Sequence, residues 1–143
     1  SPVKIEAFQD THIDDKLPGI QGIDLKEKDD KLFYLEVKSV TYVENRIAKF
    51  PDAITERGTK HAKTLTKMTY DGYDTGILFV CQRPDADRFI PMWERDYKFG
   101  SALFEAKKAG VKIWCITTNL TDREMTLNNF IPVDLSYPSQ KNI

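Results

Sequence analysis

Glu36 and Lys38 stand two positions apart in the run Leu32-Phe-Tyr-Leu-Glu-Val-Lys-Ser-Val40. Side chains alternate across a strand, so Phe33, Leu35 and Val37 form one apolar row and Tyr34, Glu36 and Lys38 the opposite one. Glu36 and Lys38 are then about 6–7 Å apart along the strand. Hydrolysis of a phosphodiester near neutral pH needs an activated water and a counter-charge for the developing oxyanion. A magnesium ion supplies both, but it demands hard oxygen ligands, commonly one or two carboxylates. Asp24 and Glu36 are the candidate carboxylates, with the main-chain carbonyl of Val37 as a third ligand to Mg2+ or Mn2+. Lys38, one step further along the same face, would orient the attacking water or neutralise the phosphate. Asp24, Glu36 and Lys38 are thus the candidate catalytic residues. The bland counterpart of this pattern is a surface-facing Glu–Lys strand with an acid on a nearby turn, which short charged patterns produce by chance.

The strands around these residues decide whether the acids meet. Val3 to Phe8 and Gln21 to Leu25 read as strands, separated by a polar, turn-rich loop over 9–20. Leu32 to Tyr42 reads as one long strand following a charged turn over 26–31, so the pair is antiparallel. Directly opposite residues share a face, so Asp24 joins Glu36 only if paired residue numbers sum to an even value. A two-residue Asp29-Asp30 turn would pair Asp24 with Leu35, on the side taken as the core. A three-residue loop of Asp29, Asp30 and Lys31 would pair it with Glu36. The expectation is an odd-length loop or a bulge of the same effect.

Downstream, Ile54, Gly58, His61, Ala62, Leu65 and Met68 recur at helical spacing, with Thr55 or Asp52 as cap and Asp71-Gly72 as stop. Thr75 to Cys81, apolar on both faces, reads as a buried central strand. Gln82 to Tyr97 reads as a long loop bearing Trp93 and Tyr97. Those two rings either stack on bases or, the better reading, cover the sheet. A second helix runs from about Phe99 to Ala109 and stops at Gly110. Val111 to Thr117 is another buried strand, Glu124 to Leu127 a short edge strand, and the end past Leu135 is expected to be loose. The fold class is α/β, a mixed β-sheet flanked by α-helices, the later helices serving as crossovers between parallel strands.

With 143 residues and a formal net charge of −1, the chain is one-domain size and carries no global signal for nucleic acid or membrane. Locally the charge is uneven: residues 1–36 hold nine acids against five lysines, and residues 46–67 hold six bases against two acids. A segment suited to cations lies beside one suited to phosphates. The basic helix face (Arg57, Lys60, Lys63 and Lys67) fits a DNA backbone, or is simply solvated, and Glu56 with Lys60 fits an i,i+4 pair. Gln82 and Arg83, at the end of a buried strand, are further nucleic-acid contacts. His61 either packs or faces the site, packing being the ordinary outcome. Two cysteines in apolar runs read as buried thiols and a cytoplasmic setting. No apolar stretch approaches the length of a membrane span.

Tyr34-Leu-Glu-Val-Lys-Ser-Val40 followed by Phe50-Pro-Asp-Ala-Ile-Thr-Glu-Arg-Gly-Thr-Lys-His61 resembles the sugar fermentation stimulation protein A family. So do Leu78-Phe-Val-Cys-Gln-Arg-Pro-Asp-Ala86 and Ile131-Pro-Val-Asp-Leu135. The resemblance, from about Gln21 to Leu135, implies a PD-(D/E)XK restriction-endonuclease-like core over residues 1–135, with 136–143 as a tail. It implies that Asp24, Glu36 and Lys38 match the family's Asp…Glu-any-Lys residues. It further implies a non-specific DNA-binding protein linked to regulation of sugar (maltose) metabolism; an oligomer is compatible with the sequence, which does not set the oligomeric state. The family's N-terminal OB-like domain has no counterpart in this sequence; either the chain is a fragment or the barrel has been lost, and the Ser-Pro start favours the fragment. The family's acid usually follows Ser-Arg-Phe, whereas Gln21-Gly22-Ile23 precedes Asp24, which keeps Asp14 and Asp15 as weaker candidates for the acid. Three readings stand open: a magnesium-dependent nuclease-like domain, a catalytically silent DNA-binding regulator, and a small-molecule or protein-binding domain whose charged strand is structural.

Overall fold

The computed structural model describes residues 4–6, 22–26 and 32–138. The readings for 9–20, for the turn at 27–31, for Asp14 and Asp15 and for the last five residues lie outside them. In chain order the strands are β1 (Lys4–Glu6), β2 (Gly22–Lys26), β3 (Leu32–Val40), β4 (Tyr42–Glu44) and β5 (Ile47–Phe50). Then follow helix α1 (Glu56–Tyr70), β6 (Asp74–Cys81), β7 (Arg88–Pro91), α2 (Tyr97–Ala109), β8 (Lys112–Leu120) and β9 (Met125–Ile131). A mixed six-stranded sheet has the order β1-β2-β3-β6-β8-β9, and a second, three-stranded sheet has the order β4-β5-β7. β3, β6 and β8 run parallel, with α1 and α2 in the connections, and β2 and β9 flank them antiparallel.

Several elements differ from the sequence reading: β9 runs on to Ile131, and Tyr137, in the end expected to be loose, packs against Trp93 and Phe104. The long strand ends at Val40, and a hairpin over Tyr42–Phe50 turns through Asn45 and Arg46, both at positive φ. Such a turn normally advertises itself with Asn-Gly; an arginine in the left-handed region costs about 1–2 kcal/mol and conceals the signal. The stretch 82–97 is also no plain loop, because β7 lies in it and pairs in parallel with β5. Ile54 precedes α1 and is exposed, outside the apolar stripe expected to include it.

The main core lies on the helix-covered face of the large sheet. Ile77, Phe79, Cys81, Ile113 and Cys115 from β6 and β8 meet Ala62, Leu65 and Met68 of α1 and Phe99, Leu103 and Ala106 of α2. Phe79 stacks on Phe89 of β7 at 4.3 Å between centroids, tying the small sheet to the large one. The opposite face carries a smaller cluster of Phe33 and Leu35 with Val37, Leu78 and Trp114. The row assigned to the core from alternation is therefore the lesser of two apolar faces. The Glu36 row lies on the greater one.

Helix α1 starts where Thr55 accepts a hydrogen bond from Gly58 N at 2.9 Å. Asp96 caps α2 by accepting from Phe99 N at 3.0 Å, and it also accepts from Thr55 N at 2.8 Å, so one buried carboxylate ties the starts of both helices. Gly110, at φ 114°, ends α2 in the left-handed conformation that a glycine adopts without penalty. Asp96→Ala removes a cap and strands two amide donors. It is expected to lower unfolding stability in urea by about 2 kcal/mol.

Both cysteines are free and fully buried. Burial pushes the Cys115 thiol up to about 12 and raises that of Cys81 as well. Raised values leave almost no thiolate near neutral pH, and the thiolate is the reactive form. A thiol-reactive dye at about pH 8 should therefore label the native chain only as fast as it opens, and denatured chain within minutes.

Candidate active site and nucleic-acid face

Alternation along β3 puts Tyr34, Glu36, Lys38 and Val40 on the face that α1 covers. In the parallel register Glu36 lies beside Ile77 and Lys38 beside Phe79, so both charged side chains are set among buried apolar neighbours. Glu36 is only 1% exposed. A carboxylate is held there only with charged or hydrogen-bonding partners, because an unpaired buried charge is prohibitively costly. Partners among the described residues include Lys38, whose Nζ lies 3.2 Å from Glu36 Oε1, and His61, whose Nδ1 lies 3.1 Å from the same oxygen. Lys38 Nζ and His61 Nδ1 are 2.8 Å apart, closing a triangle. This excludes the surface-facing strand for Glu36.

His61 is the residue for which sequence reasoning set packing against a role in the site. The structure does both. It is buried on the inner stripe of α1 with Gly58, Ala62, Leu65 and Met68, and its ring reaches the Glu36–Lys38 pair. The legible signal was a titratable side chain on a helix's buried stripe, which needs a polar partner from the facing strand. Its Nε2 is buried with no hydrogen-bond partner among the described residues. An orphaned buried donor or acceptor costs about 1–3 kcal/mol.

Asp24 enters through backbone register. β2 and β3 pair Asp24 with Tyr34 and Gly22 with Glu36, and Lys26 with Leu32, leaving a five-residue connection over 27–31. The paired numbers sum to an even value, so position 24 shares the face of positions 34, 36 and 38. The odd-length connection agrees with the expectation, but Asp24 stands two residue pairs along the ladder from Glu36, opposite Tyr34, rather than opposite Glu36 itself. Val37 lies just beyond the last described β2–β3 pair. Among the described residues, no group of three or more His, Cys, Asp and Glu side chains gathers to hold a metal ion.

The basic residues of α1, Arg57, Lys60, Lys63 and Lys67, are all exposed, and none forms an ion pair within 4.0 Å among the described residues. The Glu56–Lys60 pair is therefore not made. Lys60, Lys63 and Lys67 line a shallow groove of about 450 Å³ with Glu56, Thr59 and Thr64. Arg83 is different: its guanidinium is held by Asp85 at 2.6 and 3.0 Å and donates to the Val43 carbonyl. That contact holds the Asp85 carboxyl below the usual carboxylate range and engages the Arg83 guanidinium in an exposed ion pair. Gln82 donates from Nε2 to Ser39 Oγ at 2.6 Å, and its backbone N–H donates to the Val40 carbonyl, so it fastens the ends of β3 and β6. Trp93 is buried, with Gly100 backed against its ring and Tyr97 and Tyr137 in ring contact. It covers the fold, while Tyr97 is mostly exposed at the start of α2. Among the described residues, no helix is long and apolar enough to cross a membrane.

Residues 8–124 match the family model of the sugar fermentation stimulation protein RE domain. A sugar fermentation stimulation protein homolog from Desulforamulus reducens is 41% identical over 102 residues, covering 71% of this chain and 43% of that protein. Homologs from Clostridium perfringens (42% over 123 residues; 85% and 53%) and Methanobrevibacter smithii (43% over 104 residues; 73% and 42%) are similarly related. The solved structure of Pyrococcus furiosus SfsA in complex with Ca2+ superposes with a TM-score of 0.74 at 27% identity, over 78% of this chain and 48% of that one. The chain thus spans about half the length of the curated relatives it matches. The fold shared with the P. furiosus structure, together with a family model matched across most of the sequence, leads to one assignment: this chain belongs to the sugar fermentation stimulation protein family.

Proposed function

We propose that this chain is a DNA-binding domain with a PD-(D/E)XK nuclease-like core, whose Asp24–Glu36–Lys38 face hydrolyses phosphodiester bonds with a divalent cation. The observation that carries the reading is the buried Glu36 carboxylate, held against Lys38 on the face that position 24 shares. Evolving such a pair deep beside Ile77 and Phe79 has no packing advantage, since apolar side chains would fill the space more stably. Glu36 offers the hard oxygen that Mg2+ or Mn2+ takes, and Asp24 and the Val37 carbonyl would complete the ligand set. The P. furiosus relative is described as a Ca2+ complex, a cation with the same preference for oxygen ligands.

Such a cation, when bound, supplies Lewis acidity and a more acidic water. Lys38 would present its ammonium to the phosphate or to the attacking water, within the same triangle as Glu36. Arg57, Lys60, Lys63 and Lys67 would run along the DNA backbone, giving affinity without base recognition. The exposure of these four cations, with no ion pair among the described residues, supports that role better than it supports Gln82 or Arg83, which are engaged elsewhere. In the context of its relatives the domain would serve the regulation of sugar (maltose) metabolism, consistent with the name those proteins carry.

A second reading, a catalytically silent DNA-binding regulator, is favoured by one observation: the Lys38 ammonium holds the buried Glu36 carboxylate in an ion pair at 3.2 Å. Incubating supercoiled plasmid with the protein and Mg2+ or Mn2+ separates the two. Cation-dependent nicking supports hydrolysis; gel retardation at low salt without nicking supports the silent regulator. Absence of both leaves a domain that binds small molecules or proteins.

A further inference from the structure

The triangle of Glu36, Lys38 and His61 has a hydrogen-bonding logic of its own. An ammonium has only donors, so the 2.8 Å contact between Lys38 Nζ and His61 Nδ1 requires a lone pair on Nδ1. The proton of the neutral ring then sits on Nε2. The alternative, Nδ1–H donating to Glu36 Oε1 at 3.1 Å, would set an N–H against the Lys38 ammonium at the shortest distance of the three. Lys38 therefore has two acceptors, one anionic and on its own strand, the other neutral and on α1.

We infer that His61 is a positioning residue for Lys38: its Nδ1 accepts a hydrogen bond from the ammonium and holds it in place when Glu36 turns to a divalent cation. Without that second acceptor, Lys38 has only the Glu36 carboxylate among these partners, and ammonium and cation compete for its negative charge. With it, the ammonium stays on the reacting face as a neighbour of the cation rather than its competitor. The buried position of the ring, 1% exposed on the inner stripe of α1, fixes it there without loop motion.

The inference rests on the proposed cation site for its purpose, but its geometry is testable apart from it. The chain holds two histidines, His12 and His61, so a His12→Gln background leaves one imidazole to observe. Two-bond 1H–15N correlation at mildly alkaline pH should report the Nε2–H tautomer, with the Nδ1 resonance shifting in Lys38→Met. An Nδ1–H tautomer in the otherwise native protein, or an Nδ1 resonance indifferent to Lys38→Met, overturns the inference. Calorimetry with Mn2+ supplies the second arm. His61→Ala should lose about tenfold or more in affinity, the usual effect of removing a partner behind the ligands. His61→Asn, whose Oδ1 overlays Nδ1, should regain most of it, while His61→Gln, whose amide reaches the Nε2 position, should not. Equal rescue by Asn and Gln would reduce the ring to a filler and overturn the positioning role. If the native protein binds no Mn2+, the proposed function falls while the tautomer still decides how Lys38 is held.

Discussion

Glu36→Gln is expected to lower cation-dependent nicking of supercoiled plasmid by about a thousandfold, with DNA retardation at low salt unchanged. The physical basis is the loss of a formal negative charge from the ligand set. A site-bound cation contributes several kcal/mol of transition-state stabilisation, and each 1.36 kcal/mol is a factor of ten in rate. Glutamine keeps the volume beside Ile77 and still offers an amide oxygen to Lys38 Nζ, so the change falls on charge rather than on packing. It also leaves a largely buried ammonium without its counter-ion, and breaking a buried pair typically costs about 3–5 kcal/mol. Urea unfolding must therefore accompany the assay. A folded variant that nicks as well as the native chain would remove Glu36 from the chemistry. The DNA arm separates this from a general collapse, because the basic face of α1 lies on the exposed side of that helix and does not depend on the buried carboxylate.

Reversing Lys60 and Lys63 together should weaken DNA binding by about a hundredfold at low salt and flatten its salt dependence by about two units of logarithmic slope. Each neutralised phosphate releases condensed counterions and contributes about 0.9 to that slope. The two lysines are exposed, line one groove and make no ion pair among the described residues, so the double change should leave the core untouched. The salt titration is the discriminating measurement. A loss of affinity at constant slope would mean that these residues act on the fold or on long-range steering rather than on phosphates. Arg83→Ala, by contrast, should change little, since its guanidinium is already held by Asp85.

Local pattern reached a good part of this architecture. The helical stripe of Gly58, Ala62, Leu65 and Met68 was readable because it depends on neighbours three and four residues apart, and the cap was narrowed to Thr55 or Asp52, of which the structure has Thr55. The buried runs of β6 and β8 were equally readable, as strands in the middle of a parallel sheet are apolar on both faces. The hairpin at Tyr42–Phe50 and strand β7 were not. The first turns through an Asn-Arg pair with no glycine, and the second is held in a small sheet by a partner some forty residues upstream. Edge β9 ran longer than its alternation suggested, since most of its side chains are exposed and carry no core signal.

The identity of the chemical groups came from the residues alone: an acid, a second acid twelve positions on, a lysine two further, and a basic helix behind them. Alternation also fixed that Glu36 and Lys38 point the same way, because a strand's period of two leaves no choice. Which side that was, only the tertiary structure decided. Packing of α1 and α2 onto the sheet turned the charged row inward, where solvation is withdrawn and a partner becomes obligatory. The same packing brought His61, twenty-three residues from Lys38, to within 2.8 Å of it. No spacing rule encodes a contact between a strand and a helix across that distance in the chain; it exists because two apolar surfaces closed on each other and carried their polar residues with them.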